Sequence, residues 1–366
     1  MIMPAIFSGT GGSRVVPPGR ALPWPVFPAF LLFVWTATVR ADDPVVLRME
    51  SLLLTPTHGP ALIVVARNPT GQPYRGVLTV EAPKGWVLEP PSQPLELGPG
   101  EVVRRRYQVR RGVYVEENRY PVTAIASGMG ATVRWKQHLV AATAPYFKPA
   151  IDGKLDDWKD SVPVSFLCRG KRSVIRTYWN RRYFAMLVAV EEERLIGRDP
   201  DRPQQAFDAI QVAIAPRGAA TGRSPDEQVQ RYELLFAPEA DAARAFRLAE
   251  PGMTLAQTRQ IQSLAGLEYD QAAVVVSRRK GVTYYECSIP FGPMRRRIRP
   301  TEGREFCLSV LIHDPDGTGL RDWGEAAGLW PDQRQPLAWS RWPGARWGPQ
   351  PPFDSKTPWG LCSSKY

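Results

Sequence analysis

The chain has 366 residues, 43% of them hydrophobic, and 12 Trp, which excludes general disorder and allows two hydrophobic cores. Its 37 Pro and 30 Gly are too many for a mainly helical protein and favour an all-β fold, because proline interrupts helices. The net charge of +11 comes mostly from arginine. No nucleic-acid-binding motif accompanies that charge, so we expect solvated surface arginines and no nucleic-acid partner.

Residues 1–41 have the pattern of an export signal. Arg14 and Arg20 precede the short apolar run VFPAFLLFVWTATV, and small residues surround a cleavage point after Ala41. The run is shorter than the roughly 20 apolar residues that a membrane span needs. We therefore expect a secreted or cell-envelope (periplasmic or extracellular) protein that begins at Asp42 and has no membrane span once the signal is removed. An uncleaved anchor is the alternative.

Four cysteines lie in this chain at wide spacing, which excludes a CxxC metal or redox site. They are Cys168, Cys287, Cys307 and Cys362. In an exported protein they could form up to two disulfides. Cys287 and Cys307 lie in apolar, strand-like runs, where a free buried thiol is an equally good interpretation.

The segment 42–144 alternates apolar and polar residues in short runs separated by Gly, Pro and Asn, as in PALIVVARN, YRGVLTVEAP and RYPVTAIASG. About seven strands in roughly a hundred residues predict an immunoglobulin-like β-sandwich. The stretch GVLTVEAPKGWVLEPPSQPLELGPGEVVRRRYQV resembles the small β-sandwich modules that accompany α-galactosidases and other sugar-active enzymes. Trp86 in this stretch is predicted to pack against the core rather than to bind a ligand.

The segment 145–366 has longer strand-like runs and more variable connections, which predict a second, jelly-roll-like β-sandwich. Its runs are SVIRTYWN, RYFAMLVAVE, FDAIQVAIAP, QRYELLFAP, QAAVVVSRR, VTYYECSIPF and EFCLSVLIHD. Between them, EADAARAF and TLAQTRQI in residues 238–262 suggest a helical turn or two.

This second segment resembles the family 9 carbohydrate-binding modules over residues ~146–363. The resemblance rests on IDGKLDDW, YWNRRYFAMLVAV, FDAIQVAI, YYECSIPFG and VLIHDPDG, followed by the closing TPWGLC, in this order and spacing. It implies a β-sandwich that binds sugars, typically at chain ends, with calcium as a frequent structural ion and no catalytic machinery.

The same resemblance implies the sugar-binding residues. The family's site clamps a terminal sugar between two Trp, and Trp330 falls where one of them is expected. Gln205 occupies the place of the other, and Gln211 matches a polar position that faces the ligand. Phe207 is a substitute for the missing Trp or, given its adjacency to a strand, a core residue. Asp208 is expected to anchor a turn or an ion.

The stretch HDPDGTGLRDWGE matches the ligand spacing of a calcium-binding EF-hand loop. An EF-hand needs a helix on each side, whereas a β-type run precedes this loop and Gly and Pro follow it. An ion-free hairpin is therefore favoured, with calcium as the alternative. The candidate calcium ligands are Asp314, Asp316, Asp322 and Glu325.

Catalysis has weak support in the sequence. Asp152, Asp156 and Asp157 could act as paired acids, but in the resembled family this stretch is an entry strand and turn, with Trp158 packed beneath it. Only three His and no nucleophile motif are present. We predict a non-catalytic, exported protein that binds poly- or oligosaccharide and is associated with carbohydrate catabolism. The alternatives are an extracellular structural or adaptor protein with a degenerate sugar site, and a glycosidase with two carboxylates about 5–10 Å apart in a cleft.

Overall fold

The computed structural model describes residues 43–203, 205–218, 226, 228–254, 257, 264–323 and 358–364. These residues form twenty strands, one short helix (Arg295–Ile298) and three single 3-10 turns (Pro56–His58, Asp156–Trp158 and Leu264–Gly266). The fold is all-β, as the Pro and Gly content predicts. No helix among the described residues has the length and apolar character needed to cross a membrane.

The N-terminal sandwich consists of two four-stranded antiparallel sheets, ordered β1-β2-β6-β4 and β5-β3-β7-β8. Its strands are β1 (Val46–Met49), β2 (Ala61–Arg67), β3 (Tyr74–Glu81), β4 (Val87–Glu89), β5 (Ser92–Leu97), β6 (Val102–Arg111), β7 (Tyr120–Gly128) and β8 (Ala131–Leu139).

Every second residue of these strands points its side chain into the space between the two sheets. Leu62 and Tyr107 from one sheet meet Leu78 and Leu95 of the other in a fully buried core. The indole of Trp86 packs against this core, with its ring centroid 5.2 Å from that of Tyr120. The prediction that this Trp is a packing residue is confirmed.

The C-terminal sandwich pairs a five-stranded sheet, β10-β11-β12-β17-β16, with a seven-stranded sheet, β15-β14-β13-β18-β20-β9, in which β19 also pairs with β18. Its strands are β9 (Thr143–Ala144), β10 (Val164–Cys168), β11 (Lys171–Trp179), β12 (Tyr183–Glu191), β13 (Ala209–Pro216), β14 (Tyr232–Pro238), β15 (Ala243–Ala249), β16 (Ala273–Arg279), β17 (Val282–Pro290), β18 (Glu305–Asp314), β19 (Gly319–Trp323) and β20 (Pro358–Leu361). All pairings are antiparallel except that of β20 with β9.

The core of this sandwich lies between its two sheets. On β13, Ile210, Val212 and Ile214 face that core, so the residues between them face the outer side of the seven-stranded sheet. Trp179 is buried, and Trp158 is buried as predicted. Trp158 packs with Tyr178 on the outer face of the five-stranded sheet.

A short connector between β8 and β9 belongs to both cores. Ala141 packs in the N-terminal core, whereas Ala142 and Ala144 pack in the C-terminal one. The side chain of Asn118 holds this connector: its amide donates to the carbonyl oxygens of Ala141 (3.1 Å) and Pro163 (2.7 Å), and its oxygen accepts from the Ala141 N–H (2.8 Å). The expected boundary between residues 144 and 145 stays a prediction.

Two expectations on secondary structure and cysteines can be compared with the structure. The stretch EADAARAF does not form the expected helical turn, because residues 243–246 begin β15 and pair with β14. Pairing with an existing sheet edge overrides the helical preference of alanine there. The stretch TLAQTRQI lies mostly outside the described residues, so a helical turn there stays a prediction. All four cysteines are free thiols, so the alternative of up to two disulfides is wrong, and the equally weighted interpretation of free buried thiols is confirmed for Cys287 and Cys307.

Candidate functional site

Four polar side chains meet on the outer side of the seven-stranded sheet, away from the core. They are Gln211 of β13, Arg231 before β14, Glu233 of β14 and His313 of β18. The Gln211 amide nitrogen donates to Glu233 Oε1 (2.6 Å), and Arg231 Nε donates to Glu233 Oε2 (2.9 Å). His313 Nε2 lies 2.9 Å from Gln211 Oε1. We call these four residues the outer polar network.

Burial fixes the protonation of this network. Its residues are at most 6% exposed, and burial lowers the pKa of His313 to about 3, so its imidazole is neutral at pH 7. Because Gln211 uses its amide nitrogen for Glu233, its oxygen faces His313, and the proton of the neutral ring lies on Nε2. Arg231 balances the charge of Glu233. The network is therefore a preorganised set of donors and acceptors.

The predicted sugar ligands have different positions. Gln211 is central to the outer polar network, whereas Gln205 is exposed in the loop before β13, with its N–H bonded to the carbonyl of Arg202 (2.9 Å). Phe207 is buried in an apolar cluster, which confirms the core interpretation. Trp330 lies outside the described residues. The roles of Gln205, Gln211 and Trp330 in binding stay predictions, and Glu233, Arg231 and His313 gave no sequence signal beyond their polarity inside strand-like runs.

The loop with EF-hand spacing is the turn of a hairpin, as expected. Asp314 ends β18, Gly319 begins β19, and the two pair with each other. Asp316 forms an ion pair with Arg194 (2.7 Å), and Asp322 is exposed on β19. Glu325 lies outside the described residues. The three described carboxylates of the loop therefore have separate surroundings, and their binding of calcium stays a prediction.

Three other carboxylates do come together inside the C-terminal sandwich. Glu192, Asp208 and Asp314 are each at most 4% exposed, and one oxygen of each lies within 4.8 Å of the others. We call them the buried acidic cluster. Asp208 was recognisable in the sequence as a turn or ion anchor, but Glu192 was not, because the run EEE at 191–193 has the appearance of a solvated turn.

The three carboxyl groups of the cluster differ in their tendency to carry a negative charge. Burial, followed by neighbouring carboxylates, raises the pKa of Asp208 to about 8, and burial raises the pKa of Glu192 to about 7. Burial alone would also raise the pKa of Asp314, but hydrogen bonds from Arg321 and Thr318 outweigh it and lower that pKa. Asp314 is therefore a stable carboxylate, whereas Asp208 and Glu192 need a positive partner or a proton.

The acids suggested for catalysis stabilise a turn. Asp152 Oδ1 accepts from the Lys154 N–H (2.9 Å), and Asp157 Oδ2 accepts from the Ala150 N–H (2.8 Å). Beneath them, Trp158 Nε1 donates to Glu286 (2.6 Å). These contacts agree with the prediction of an entry turn.

Comparison with known proteins gives limited information. No protein-family model and no curated protein sequence matches the chain. Two solved structures of a family 9 carbohydrate-binding module from Caldicellulosiruptor kristjanssonii, in complex with glucose and with cellotriose, are each 12% identical and cover 60% of this chain. Their TM-scores are 0.34 and 0.35, and 94% and 92% of those chains are covered. A FixG-related protein from Vibrio parahaemolyticus is 15% identical over 27% of this chain and 96% of its own, with a TM-score of 0.21. Similarities at these TM-scores support no statement about ligands of this chain.

Proposed function

We propose that the C-terminal sandwich binds poly- or oligosaccharide at the outer side of its seven-stranded sheet. The observation that carries the proposal is the convergence of an amide, a carboxylate, a guanidinium and an imidazole on adjacent strands, outside the hydrophobic core. Sugar hydroxyl groups both donate and accept, and a fixed set of such partners can select their positions. The sequence resemblance to sugar-binding modules over residues ~146–363 supports the same function.

The proposed site also contains an aromatic platform. Sugar rings present C–H faces that stack on an indole, and Trp330 is the residue that we assign to this role. Gln205 is assigned to the rim, where the resembled family has a second Trp. Because Gln205 takes the place of that second Trp, we expect weaker binding than a two-Trp clamp provides.

The proposed role is binding without catalysis, in an exported protein that serves carbohydrate catabolism at the cell envelope or outside the cell. Among the described residues, the three carboxylates that lie within 4.8 Å of one another are buried in the sandwich rather than exposed in a cleft, which disfavours a glycosidase. Export is supported by the signal-like pattern of residues 1–41.

A second candidate function has its own support. Gln211 is fully buried, and both ends of its amide already have protein partners. A sugar would have to replace these bonds. Because these hydrogen bonds are already made within the protein, they favour the structural or adaptor protein, in which the network only stabilises the sheet.

A glycan array with the full chain, in calcium and in chelator, distinguishes the two functions. Binding should appear, and Gln211→Ala should weaken it at least about tenfold, because losing one well-placed hydrogen bond costs about 1 kcal/mol or more. Gln72→Ala is the matched control, since Gln72 is exposed in a turn of the other sandwich. Circular dichroism checks that both variants fold. If the folded wild-type chain retains no glycan, the adaptor function replaces the proposal.

A further inference from the structure

A cavity of about 300 Å³ lies at the junction of the two sandwiches. One wall is the outer side of the sheet β1-β2-β6-β4, and the other is formed by residues within or next to β13, β18 and β20 of the C-terminal sandwich. Sites for small ligands usually have volumes of about 300–1,000 Å³ and occur preferentially between domains. The cavity therefore has the place and the size of a site for one small ligand.

Five charged side chains, contributed by both sandwiches, line this cavity. They are Glu50, Arg104, Arg106, Arg217 and Glu305. Glu50 Oε2 accepts from Arg104 (2.6 Å) and from Arg217 (3.0 Å). Arg217 also pairs with Glu305 on the opposite wall. Three positive and two negative groups leave the lining with a net charge of +1.

The positive charge in excess belongs to Arg106 of β6. This residue is exposed, and among the described residues it forms no ion pair; its guanidinium donates to Gln108 Oε1 (3.3 Å). A guanidinium has five N–H donors in a planar fork that matches the two oxygens of a carboxylate. Arg106 therefore has donors left for an anionic ligand in the cavity.

The apolar part of the lining begins beside Arg106. Ile63 is directly opposite Arg106 in the pairing of β2 with β6, and Ala61 follows on the same side of the sheet. Leu54 and Pro60 also line the cavity. Apolar side chains can cover the C–H face of a sugar ring, and carboxylates can accept from its hydroxyl groups. The cavity thus combines the three kinds of group that an acidic sugar needs.

The net charge of the lining favours one kind of anion. A sugar acid such as a uronate has one carboxylate, which carries a single negative charge at pH 7. A phosphate monoester carries about −1.5 to −2 at that pH. One guanidinium in excess balances the carboxylate, whereas a phosphate would bring additional negative charge close to Glu50 and Glu305.

We propose that this cavity binds a sugar acid, with the carboxylate of the ligand on Arg106 and its C–H face on Ile63. The hydroxyl groups of the ligand then lie toward Glu50 and Glu305. The site shares no residue with the outer polar network and does not depend on the sugar site proposed there. Since both sandwiches supply its walls, the acid would contact both of them.

The first measurement compares three ligands by isothermal titration calorimetry with the full chain. Galacturonate should bind once per chain, and galactose, which lacks the carboxylate, should bind at least about tenfold more weakly. Galactose 6-phosphate should also bind more weakly than galacturonate. Added sodium chloride should weaken galacturonate binding, because salt screens an exposed guanidinium.

Tri-galacturonate separates two sources of the same chemistry. Tighter binding of the trimer than of the monomer assigns the cavity to the end of an acidic polysaccharide chain. Weaker binding of the trimer assigns it to the free sugar acid. Either result supports recognition of the carboxylate.

The second measurement uses variants with equal changes in net charge. Arg106→Gln should weaken galacturonate binding at least about tenfold and leave the unfolding temperature nearly unchanged, since an exposed substitution alters stability little. Arg110→Gln is the matched control, because Arg110 is exposed on the same strand but does not line the cavity. It should bind like the wild type. Gln211→Ala should also keep galacturonate binding.

Four results would overturn the proposal. The wild-type chain binds no galacturonate, or it binds galactose or galactose 6-phosphate as tightly. Arg106→Gln keeps wild-type affinity. Arg110→Gln loses as much affinity as Arg106→Gln, which would indicate unspecific attraction to a basic surface. Gln211→Ala abolishes galacturonate binding, which would place the acid in the outer polar network. A failure of the glycan array with neutral sugars leaves these measurements unaffected, so the two proposals are tested separately.

Discussion

Arg321 is a charged residue with no solvent exposure, and its guanidinium connects its own hairpin with the end of β12. It donates to Asp314 Oδ2 (2.6 Å) and Thr318 Oγ1 (2.7 Å) in its own hairpin, and to the carbonyl of Glu191 (2.7 Å) at the end of β12. A lysine has neither the planar shape nor the number of donors to make these contacts together. The residue thus fixes the hairpin against the facing sheet.

Replacing Arg321 should therefore be severely destabilising. Arg321→Met leaves the Asp314 carboxylate buried without its ion pair, and breaking a buried pair in this way costs about 3–5 kcal/mol of unfolding free energy. Arg194→Ala is the control, because Arg194 is 73% exposed where it pairs with Asp316, and exposed pairs contribute under about 1 kcal/mol. Urea unfolding measures both. Equal losses in the two variants would contradict this view of Arg321.

Tyr107 should make the N-terminal sandwich sensitive to alkali. Burial raises the pKa of this tyrosine to about 12, and its hydroxyl donates to the Leu78 carbonyl (2.8 Å). The unfolded chain has a tyrosine pKa near 10, so it loses the proton first as the pH rises. Tyr107 makes its full contribution to the free energy of unfolding below pH 10. That contribution falls by about 1.4 kcal/mol per pH unit between pH 10 and 12.

The check is a comparison of unfolding free energies at pH 8 and pH 11. Tyr107→Phe should be less stable than wild type at pH 8, by about 1 kcal/mol for the lost hydrogen bond, and should lose less stability on going to pH 11. Tyr146→Phe is the control, since Tyr146 is 48% exposed. The prediction fails if both variants follow the same alkaline curve.

Some single residues were predictable from the sequence. The burial of Trp158 was expected from the resemblance to a known entry turn, and a core position for Phe207 was one of two interpretations, based on its adjacency to a strand; both residues are buried. The buried acidic cluster was not predictable as a set. Glu192, Asp208 and Asp314 come from three separate runs, and only the pairing of β13 with β18 and the packing of the two sheets bring them together.

At the scale of elements, the hairpin of β18 and β19 depends on a glycine. A Cβ on Gly317 would lie within van der Waals overlap of both oxygens of the Asp314 carboxylate. That carboxylate also accepts from Thr318, so it cannot move without losing a bond. The close approach of backbone to carboxylate explains why a residue without a side chain is required.

Gly317→Ala should destabilise the C-terminal sandwich by about 1–3 kcal/mol, the usual cost of overpacking. Gly292→Ala is the control, because a Cβ there meets nothing within 4 Å. Chemical denaturation followed by tryptophan fluorescence measures both. Wild-type stability in Gly317→Ala would show that Asp314 can move freely.

Strands were predictable from the sequence where apolar residues recur regularly at every second position. FDAIQVAIAP contains β13 and EFCLSVLIHD contains β18, because each places an apolar residue on every second position of a buried sheet. The strand β15 was missed since its alanine-rich run fits a helix equally well. The strand β20 was missed because four residues carry too little pattern, and a distant pairing creates it.

At the scale of the whole molecule, the connector between β8 and β9 links the stability of one sandwich to that of the other. Leu52 of the N-terminal core accepts from the Ala142 N–H (2.7 Å), and the Ala142 carbonyl accepts from Gly360 of β20 (2.9 Å). Arg217 bridges Glu50 (3.0 Å) and Glu305, one from each sandwich. Disturbing this region should therefore affect both cores.

Asn118→Ala tests this dependence. It leaves the N–H and carbonyl of Ala141 and the carbonyl of Pro163 without their partner, at about 1–3 kcal/mol for each buried group left unpaired. We expect the whole calorimetric transition to move to lower temperature. Glu117→Ala, at the exposed neighbouring position, should melt like the wild type. A shift of equal size in both variants would contradict the role of Asn118.

The parallel pairing of β20 with β9 has a consequence for biosynthesis. Their contacting residues are separated by 217 positions, as in the approach of the Thr143 hydroxyl to the Gly360 carbonyl. A growing polypeptide therefore completes β9 and β18 long before the strand that joins them exists. Until the ribosome has made residues 358–361, two open sheet edges remain available to other chains. A chain that stays unfolded until that point does not present these edges to its neighbours.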